Sequence, residues 1–357
     1  MTVSDQEMRF ARPADLEEIG RLLPEVAGPL FPERFPGETV EAFCRWKYFA
    51  NPAGEAAVGI AVSAGRVVSI VAAVPKRVRL GSKTVLAFEL GDFITDANFR
   101  KRGLFSKLIE MVCEEARKRD AAFVYVRPNS ISFPILAKTL SFVEVQKIDE
   151  RRYLVPSGLI HRKTRIPPAL LRLLGVDWLA SRVLMPSPAS SVAITETTRF
   201  GADMDAFWES VARRYSFALV RDRQYLNWRY ADCPTRYLLW TARRKGAVVG
   251  YAIGLVNQAA LSGYIVDLFT DPADKEASGQ LLRSAMQSML LAGAQVVFTW
   301  TLQSGAESAA SDLLRRACPV AAKPHLHLAM RFLDPGLRQS DLPPNGWQIA
   351  AGDFDGT

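Results

Sequence analysis

The stretch of residues 89–107 reads Glu89-Leu-Gly-Asp92-Phe93-Ile94-Thr95-Asp-Ala-Asn-Phe-Arg100-Lys101-Arg102-Gly103-Leu104-Phe105-Ser106-Lys107. Its first part ends a predicted strand over residues 84–95. A short loop with three consecutive basic residues and a glycine follows, and a predicted amphipathic helix over residues 104–119 begins immediately. A helix in this position directs its free N–H groups and the positive end of its dipole at the loop. The stretch therefore predicts a binding site for a pyrophosphate.

Length and composition restrict the class of protein. The chain of 357 residues suffices for about two domains of roughly 150 residues each. Its 49% hydrophobic and 23% charged residues are typical of globular proteins, which excludes a disordered, collagen-like or coiled-coil chain. No apolar run approaches the about 20 residues of a transmembrane helix, and the polar N-terminus predicts no export signal. The four cysteines lack pairing or metal-ligand spacing, so we expect a reduced, cytoplasmic protein without a metal site.

The two halves of the chain repeat the same order of motifs. Residues 43–52 align without gaps with residues 225–234, and the aromatic, Trp, basic, Tyr and Pro positions coincide. Residues 91–96 align in the same way with residues 266–271. In each half an amphipathic helix and a strand follow. Two matches in the same order predict a duplicated α/β (α+β) fold with mixed sheets.

The repeat predicts an organisation in four parts. Residues 1–150 form the first domain, residues 151–200 a basic connector, residues 201–333 the second domain and residues 334–357 a C-terminal tail. The connector holds eight basic and two acidic residues, a net charge of +6. An amphipathic stretch within 160–180 is compatible with peripheral contact with a membrane, although packing between the halves is the preferred prediction.

The loop in the first half resembles the acyl-CoA loop of the GNAT acetyltransferase superfamily. The motif Arg100-x-x-Gly103-x-Phe105 is similar to the family pattern Gln/Arg-x-x-Gly-x-Gly/Ala, and the helix, strand and Asn-containing segment that follow continue the likeness. The resemblance covers residues 8–148 well and residues 201–333 more weakly. It implies two GNAT-like domains in tandem, packed across a cleft, with acyl-CoA in the first domain and the acceptor between the two.

The resemblance also implies which residues bind the cofactor. Loop residues would hold the pyrophosphate, strand residues would offer backbone donors to the thioester, and a segment after the next strand would lie along the pantetheine arm. The loop residues are Arg100, Lys101, Arg102, Gly103, Leu104, Phe105 and Ser106. The strand residues are Phe93, Ile94 and Thr95, and the residues after the next strand are Asn129 and Ser132. Three positions depart from the family pattern: Phe105 replaces a small residue, Ser141 replaces a glycine, and Leu136 stands where many relatives carry a tyrosine acid. Tyr125 is a conceivable substitute for that acid.

Transfer to an amine needs a group that removes a proton from the ammonium, and two carboxylates of the predicted strand are candidates. Glu89 and Asp92 are expected on opposite faces, because side chains alternate along a strand. In the internal alignment Asp92 is retained as Asp267, whereas Glu89 is replaced by Tyr264. The second half carries acids where the first has its basic loop, so it is not expected to bind CoA. Because Glu89 occurs only in the half that is expected to bind CoA, it is the predicted base, and Asp92 is the alternative.

These features together predict an enzyme, a GNAT-type acyl-CoA-dependent N-acyltransferase. Acetyl-CoA would be the co-substrate, and the acceptor would be the primary amine of a small molecule, such as an amino sugar or an amino acid, that attacks the thioester directly. Two other functions remain open: a non-catalytic acyl-CoA sensor or scaffold, and a Fem-type aminoacyl transferase that would bind charged tRNA. The intact loop favours CoA, so no nucleic-acid partner is expected.

Overall fold

Helices and strands alternate through the first half of the chain. The computed structural model describes residues 6–27, 39–157, 160, 164–176, 190–304 and 308–354. In chain order the first elements are β1 (Glu7–Phe10), α1 (Leu16–Ala27), α2 (Val40–Phe49), β2 (Ala57–Ser63), β3 (Arg66–Leu80), β4 (Lys83–Thr95), α3 (Leu104–Lys118), β5 (Phe123–Val126), α4 (Ser132–Thr139) and β6 (Val143–Leu154). Helix α3 begins directly after Gly103, as the sequence predicts, and it packs on β2 and β3.

The second half follows a similar order. Its elements are α5 (Pro168–Leu173), β7 (Val192–Thr197), α6 (Asp203–Ala212), β8 (Phe217–Leu219), α7 (Arg223–Leu226) with a π-helical turn (Asn227–Ala231), β9 (Leu238–Arg244), β10 (Ala247–Asn257), β11 (Ser262–Thr270), α8 (Lys275–Leu291), β12 (Val296–Leu302), α9 (Ala309–Ala317), β13 (Val320–Phe332) and β14 (Trp347–Gln348). Across the described ranges, no helix is long and apolar enough to cross a bilayer. The amphipathic stretch within 160–180, for which packing between the halves is the preferred prediction, lies partly outside those ranges.

The strands form a mixed sheet in which the two halves exchange their last strands. The order is β1-β2-β3-β4-β5-β13-β6-β12-β11-β10-β9-β7. Strand β6 of the first half pairs with β12 of the second, and β13 of the second half pairs with β5 of the first. β6 and β13 also pair with each other at the centre. The predicted domain boundary at residue 150 therefore falls inside a strand that both halves share.

The predicted mixed α/β fold class is confirmed, and β9 to β12 repeat the pairing of β2 to β5. Residues 66–80 form the single strand β3, and Pro75 lies in its interior. Pro75 is tolerated there because β3 pairs with β2 only up to Ala73. The carbonyl of Pro75 accepts from the Asn51 amide, so its nitrogen faces that same unpaired side, where no N–H is needed.

The repeated aromatic motif forms a contact between the two halves. Trp46 on α2 and Trp228 in the π-helical turn stack with their ring centroids 5.1 Å apart. The Nε1 of each indole donates to the backbone carbonyl of the other residue, at 2.7 Å and 3.2 Å. Both residues are buried. The reciprocal hydrogen bonds give this contact a local twofold symmetry, which agrees with a duplicated fold.

The C-terminal segment packs into the centre of the molecule. Strand β14 pairs with β8, and the ring of Trp347 stacks on Phe217 with centroids 4.1 Å apart. A 3₁₀ turn over Ala351–Asp353 follows. The next ring, Phe354, contacts Tyr125 of β5 at 5.8 Å and Trp300 of β12 at 5.7 Å between centroids. This segment therefore touches the central strands of both halves.

Candidate functional site

A gap opens in the sheet between β4 and β5. The two strands pair in parallel from Ala87 opposite Phe123 to Glu89 opposite Tyr125. Beyond this point β4 continues to Thr95, whereas β5 ends at Val126. Residues 91–95 of β4 are half-buried, and no described strand pairs with their open edge. An unpaired strand edge in the interior of a sheet offers its N–H and C=O groups to an extended ligand.

A β-bulge at the gap turns Asp92 to the side of Glu89. The register moves by one residue between the pairs Ala72–Gly91 and Ile70–Ile94, and Asp92 adopts a φ of 52°. Its carboxylate accepts from Lys47 Nζ at 2.7 Å and from the Tyr48 hydroxyl at 2.8 Å.

Lys47 and Tyr48 lie on α2, which packs over the face that carries Glu89. The prediction that Asp92 and Glu89 lie on opposite faces is therefore wrong, because the extra residue of the bulge reverses the alternation.

The peptide groups that face the gap can be identified from the strand alternation. The N–H of Asp96 donates to Val68 of β3 at 2.9 Å, so the peptide groups of Ile94, two residues earlier, also face β3. The N–H groups of Phe93 and Thr95 point the other way, into the gap. Among the three backbone donors predicted from the resemblance, Phe93 and Thr95 are thus the two that an inserted ligand would meet.

Glu89 lies at the closed end of the gap in a buried ion pair. It is 4% exposed, and its Oε2 lies 3.4 Å from Nζ of Lys76 on β3. Lys76 is itself buried and lies over two aromatic rings of the second half, 5.1 Å from the Trp228 centroid and 5.6 Å from that of Tyr225. The carboxylate is therefore buried beside a cation that itself lies over two aromatic rings.

The turn before α3 exposes the start of that helix. Gly103 adopts a φ of 75°, a conformation that favours glycine, and it supplies no side-chain cap. The first intrahelical hydrogen bond is donated by Lys107 to the Gly103 carbonyl at 3.2 Å. The N–H groups of Leu104, Phe105 and Ser106 precede it and lie at the positive end of the helix dipole. The turn can therefore bind an anion.

The three basic side chains surround this turn. Arg100 Nε donates to the Thr95 carbonyl at 3.2 Å, and Arg102 donates to the Asn98 carbonyl at 2.9 Å with its guanidinium over the Phe99 ring. Lys101 is exposed and adopts a φ of 62°. No acidic side chain in the described residues forms an ion pair with any of the three.

Phe105, the bulky residue at a small position of the loop, turns away from it. Its ring lies edge-on against Phe93 with centroids 5.2 Å apart. It packs with the cluster between α3 and the sheet. The Phe105 side chain therefore lies away from the turn, and the backbone N–H of Phe105 remains one of the free N–H groups at the start of α3.

Asn129 and Ser132 shape the start of α4 across the gap. The Asn129 side-chain oxygen accepts from the N–H groups of Ile131 at 3.0 Å and Ser132 at 2.8 Å. Ser141, which replaces the family's glycine, adopts a φ of 57°. Leu136 is fully buried, and the hydroxyl of Tyr125 donates to the Asp353 carbonyl at 3.3 Å. The position of a tyrosine acid is therefore apolar, and Tyr125 is engaged by the tail.

The second half has an equivalent gap, and the C-terminal segment fills it. Strands β11 and β12 pair up to Ile265 opposite Thr299 and then separate. The segment Gln348–Ala351 lines the enclosed space with β11, β12 and α9, and the Gln348 amide donates to the Leu268 carbonyl at 3.3 Å. Residues 266–270 are completely buried, unlike 91–95 in the first half. The sequence predicts a C-terminal tail over residues 334–357 but does not indicate where it packs.

The acids at the start of α8 are bound by neighbouring groups. Glu276 accepts from the Ser191 N–H at 2.7 Å and from Arg244 at 2.9 Å. The Ser191 N–H, with the other hydrogen bonds, lowers the pKa of Glu276 to about 2. Asp274 caps the helix by accepting from the Ala277 N–H at 3.0 Å. The positive end of this helix is thus neutralised by the chain itself, whereas that of α3 is not.

A related arrangement surrounds the bulge of the second half. Asp267, the counterpart of Asp92, accepts from Arg221 at 3.1 Å and from the Tyr251 hydroxyl at 2.7 Å. Each bulge aspartate therefore binds one cation and one tyrosine. The described residues contain no group of three or more His, Cys, Asp or Glu side chains arranged to hold a metal ion.

Comparisons with known proteins agree with this geometry. Solved structures with the same fold include a conserved protein of unknown function from Enterococcus faecalis, at 14% identity and a TM-score of 0.62 over 92% of this chain and 72% of that one. A GCN5-related N-acetyltransferase from Anabaena variabilis shows 11% identity and a TM-score of 0.62 over 92% and 73%. Saccharomyces cerevisiae N-myristoyltransferase with bound myristoyl-CoA shows 11% identity and a TM-score of 0.61 over 93% and 84%. At these identities the likeness establishes the fold.

A family model matches part of the first half of the chain. No curated protein matches the sequence. Residues 7–138 match the family model described as an acetyltransferase (GNAT) domain. The matched range includes the open gap, the basic turn and the start of α3. Residues 7–138 are therefore similar to a GNAT acetyltransferase domain, and this match lies in the first half of the chain.

Proposed function

We propose that this protein is an N-acyltransferase that moves an acetyl group from acetyl-CoA to the primary amine of a small molecule, such as an amino sugar or an amino acid. One observation carries the proposal. The open edge of β4 at residues 91–95 is half-buried and lacks a strand partner among the described residues, whereas the equivalent edge of β11 is covered by the chain's own tail. A pantetheine arm is an extended amide chain and suits the open edge.

The residues of the first half have separate tasks in this proposal. The N–H groups of Leu104, Phe105 and Ser106 bind the pyrophosphate, and Arg100, Lys101 and Arg102 add attraction for its charge. The N–H groups of Phe93 and Thr95 face the thioester and stabilise its oxyanion. Asn129 and Ser132 form the opposite wall of the gap.

The chemical step needs no covalent enzyme intermediate. The amine nitrogen attacks the thioester carbonyl carbon, and the resulting tetrahedral oxyanion collapses with cleavage of the C–S bond. The CoA thiolate leaves and takes a proton from solvent, and the ammonium proton passes to Glu89. Asp92, on the same face, is the alternative base. We place the acceptor between the two halves.

A second candidate is a non-catalytic acyl-CoA sensor. It is favoured by the buried Leu136 at the position of the family's tyrosine acid and by the engaged hydroxyl of Tyr125. A sensor binds acetyl-CoA and releases no free CoA when amino sugars, amino acids and polyamines are added. The transferase releases CoA with at least one of these amines.

Calorimetric titration with CoA tests the binding part of the proposal. The wild-type chain should bind one CoA. Gly103→Glu should weaken binding by about a hundredfold, because its carboxylate meets the pyrophosphate and removes charge-assisted hydrogen bonds. Gly279→Glu is the matched control, since Gly279 lies near the start of α8 and a side chain there meets no neighbour within 4 Å. Equal affinity of wild type and Gly103→Glu would refute the site.

A further inference from the structure

We propose that Lys76 is a positioning residue that holds Glu89 ionised and aimed at the gap, and that the second half controls this pair through the rings of Trp228 and Tyr225. The inference rests on the proposed function, in which Glu89 is the base. It adds a specific task for the second half, whose own gap is filled by the tail: the second half supplies the surface on which the lysine of the first half lies.

The geometry of the pair supports this role. Lys76 is 1% exposed and Glu89 is 4% exposed, and their charged atoms are 3.4 Å apart. Lys76 lies opposite Ala87 and Glu89 lies opposite Val74, so the two side chains meet diagonally on one face of the β3–β4 pair. A buried ammonium is costly unless a carboxylate and polarisable rings surround it, and here it has both.

The physical consequence concerns the protonation of Glu89. A carboxylate in an apolar site binds a proton readily, and a general base that already carries a proton cannot act. The cation opposes this effect because it stabilises the ionised form. Trp228 and Tyr225 in turn hold the ammonium in place, since their ring faces attract it at 5.1 Å and 5.6 Å.

Other titratable groups also lie around the pair, and each affects its response to pH. Tyr125 lies opposite Glu89 on β5, and Tyr225 packs from α7. The Lys47–Asp92 ion pair lies farther along the gap, between α2 and β4. Its opposite charges are 2.7 Å apart and largely compensate each other at a distance. Lys76 thus brings a positive charge into direct contact with Glu89.

Infrared spectroscopy of the full-length chain measures the protonation directly. The C=O band of protonated Glu89, assigned by its loss in Glu89→Gln, is followed against pH. In Lys76→Met the pH at which half of Glu89 is protonated should rise by about 1 to 3 units. This corresponds to an increase of about tenfold or more in the affinity of Glu89 for a proton. Lys76→Arg should stay near wild type, and Lys83→Met, an exposed lysine of the same hairpin, is the control.

Kinetics show whether the shift matters for the reaction. With acetyl-CoA and the best amine of the panel, the acidic limb of the kcat profile of Lys76→Met should move with the infrared midpoint, while KM for acetyl-CoA stays unchanged. If Lys76→Met does not fold, Trp228→Leu should show a smaller shift in the same direction. An unmoved midpoint, or a moved midpoint with an unmoved rate profile, would overturn the inference. Failure of wild type to bind CoA would instead refute the proposed function. The infrared measurement of Glu89 protonation does not depend on CoA and would remain valid.

Discussion

At the scale of single residues, the two carboxylates of β4 differ in their surroundings and therefore in their expected tasks. Glu89 pairs with Lys76 at the closed end of the gap, and Asp92 ties the bulge to Lys47 and Tyr48. Glu89→Gln should lower kcat for acetyl transfer by about 10²–10⁴-fold with unchanged CoA affinity, because an amide cannot accept the proton.

Asp92→Asn is the companion variant, and it should lower thermal stability more than kcat, because it removes a charge that faces Lys47. Steady-state kinetics beside calorimetric CoA titration separate the two effects. Glu114→Gln, on the exposed face of α3, is the control for loss of a carboxylate. A larger loss of kcat in Asp92→Asn than in Glu89→Gln would assign the base to Asp92.

The sequence predicted the turn at Gly103 well, since basic residues, glycine and an amphipathic helix are local signals. It could not predict the bulge. The positive φ of Asp92 depends on contacts with α2, about 45 positions earlier in the chain, and alternation alone places Asp92 on the wrong face. The ion pair of Glu89 with Lys76 was also missed, because a lysine within a strand does not indicate which carboxylate it faces.

At the scale of elements, the starts of α3 and α8 show how the two halves diverged. Three cations precede α3, whereas Glu276 of α8 is ionised and bound by Ser191 and Arg244. The pKa of Glu276 is lowered from 4.5 to about 2, first by the Ser191 N–H. A lowered pKa means that the contact stabilises the fold above a pH of about 4.5 and that this stabilisation is lost as the pH falls towards 2.

Glu276→Gln should therefore reduce the dependence of the unfolding midpoint on pH in this window. Urea unfolding at about pH 5 and about pH 3 measures it, since the unfolded carboxylate takes up its proton between these values. Glu209→Gln, on the exposed side of α6, serves as the control. If the urea midpoint of unfolding changed equally with pH in wild type and Glu276→Gln, the contacts of Glu276 with Ser191 and Arg244 would be contradicted.

Local elements were predictable from periodicity and turn residues, but their long-range pairing was not. The Trp-basic-Tyr repeat correctly indicated the duplication, and the structure adds that Trp46 and Trp228 contact each other. The exchange of β6 and β13 pairs residues more than 100 positions apart, for which the sequence carries no local signal. The position of the C-terminal tail likewise depends on a long-range contact, since β14 pairs with β8.

At the scale of the whole molecule, the buried Arg221 anchors the tail to the second half. Its guanidinium contacts Asp267 at 3.1 Å and Asp353 at 2.8 Å. Burial raises the pKa of Asp353, Arg221 opposes this effect and Asp267 adds to it. Arg221→Met leaves two buried carboxylates without their cation, so the free energy of unfolding should fall by about 3–5 kcal/mol.

Arg223→Met is the matched control for this prediction. Arg223 forms an exposed pair with Asp205 at 3.6 Å, and its loss should change the free energy of unfolding by about 0–1 kcal/mol. Urea unfolding of both variants gives the comparison. If Arg221→Met were as stable as Arg223→Met, the tail would not be anchored in the way described.

We propose that the gap of the first half takes the pantetheine arm, whereas the tail closes the gap of the second half. Hydrogen exchange of backbone amides, with and without CoA, tests it most directly. CoA should slow exchange in residues 91–95, where the N–H groups of Phe93 and Thr95 face the gap, and residues 266–270 should exchange slowly in both states. Unchanged exchange at 91–95, or CoA-dependent protection at 266–270, would contradict the account.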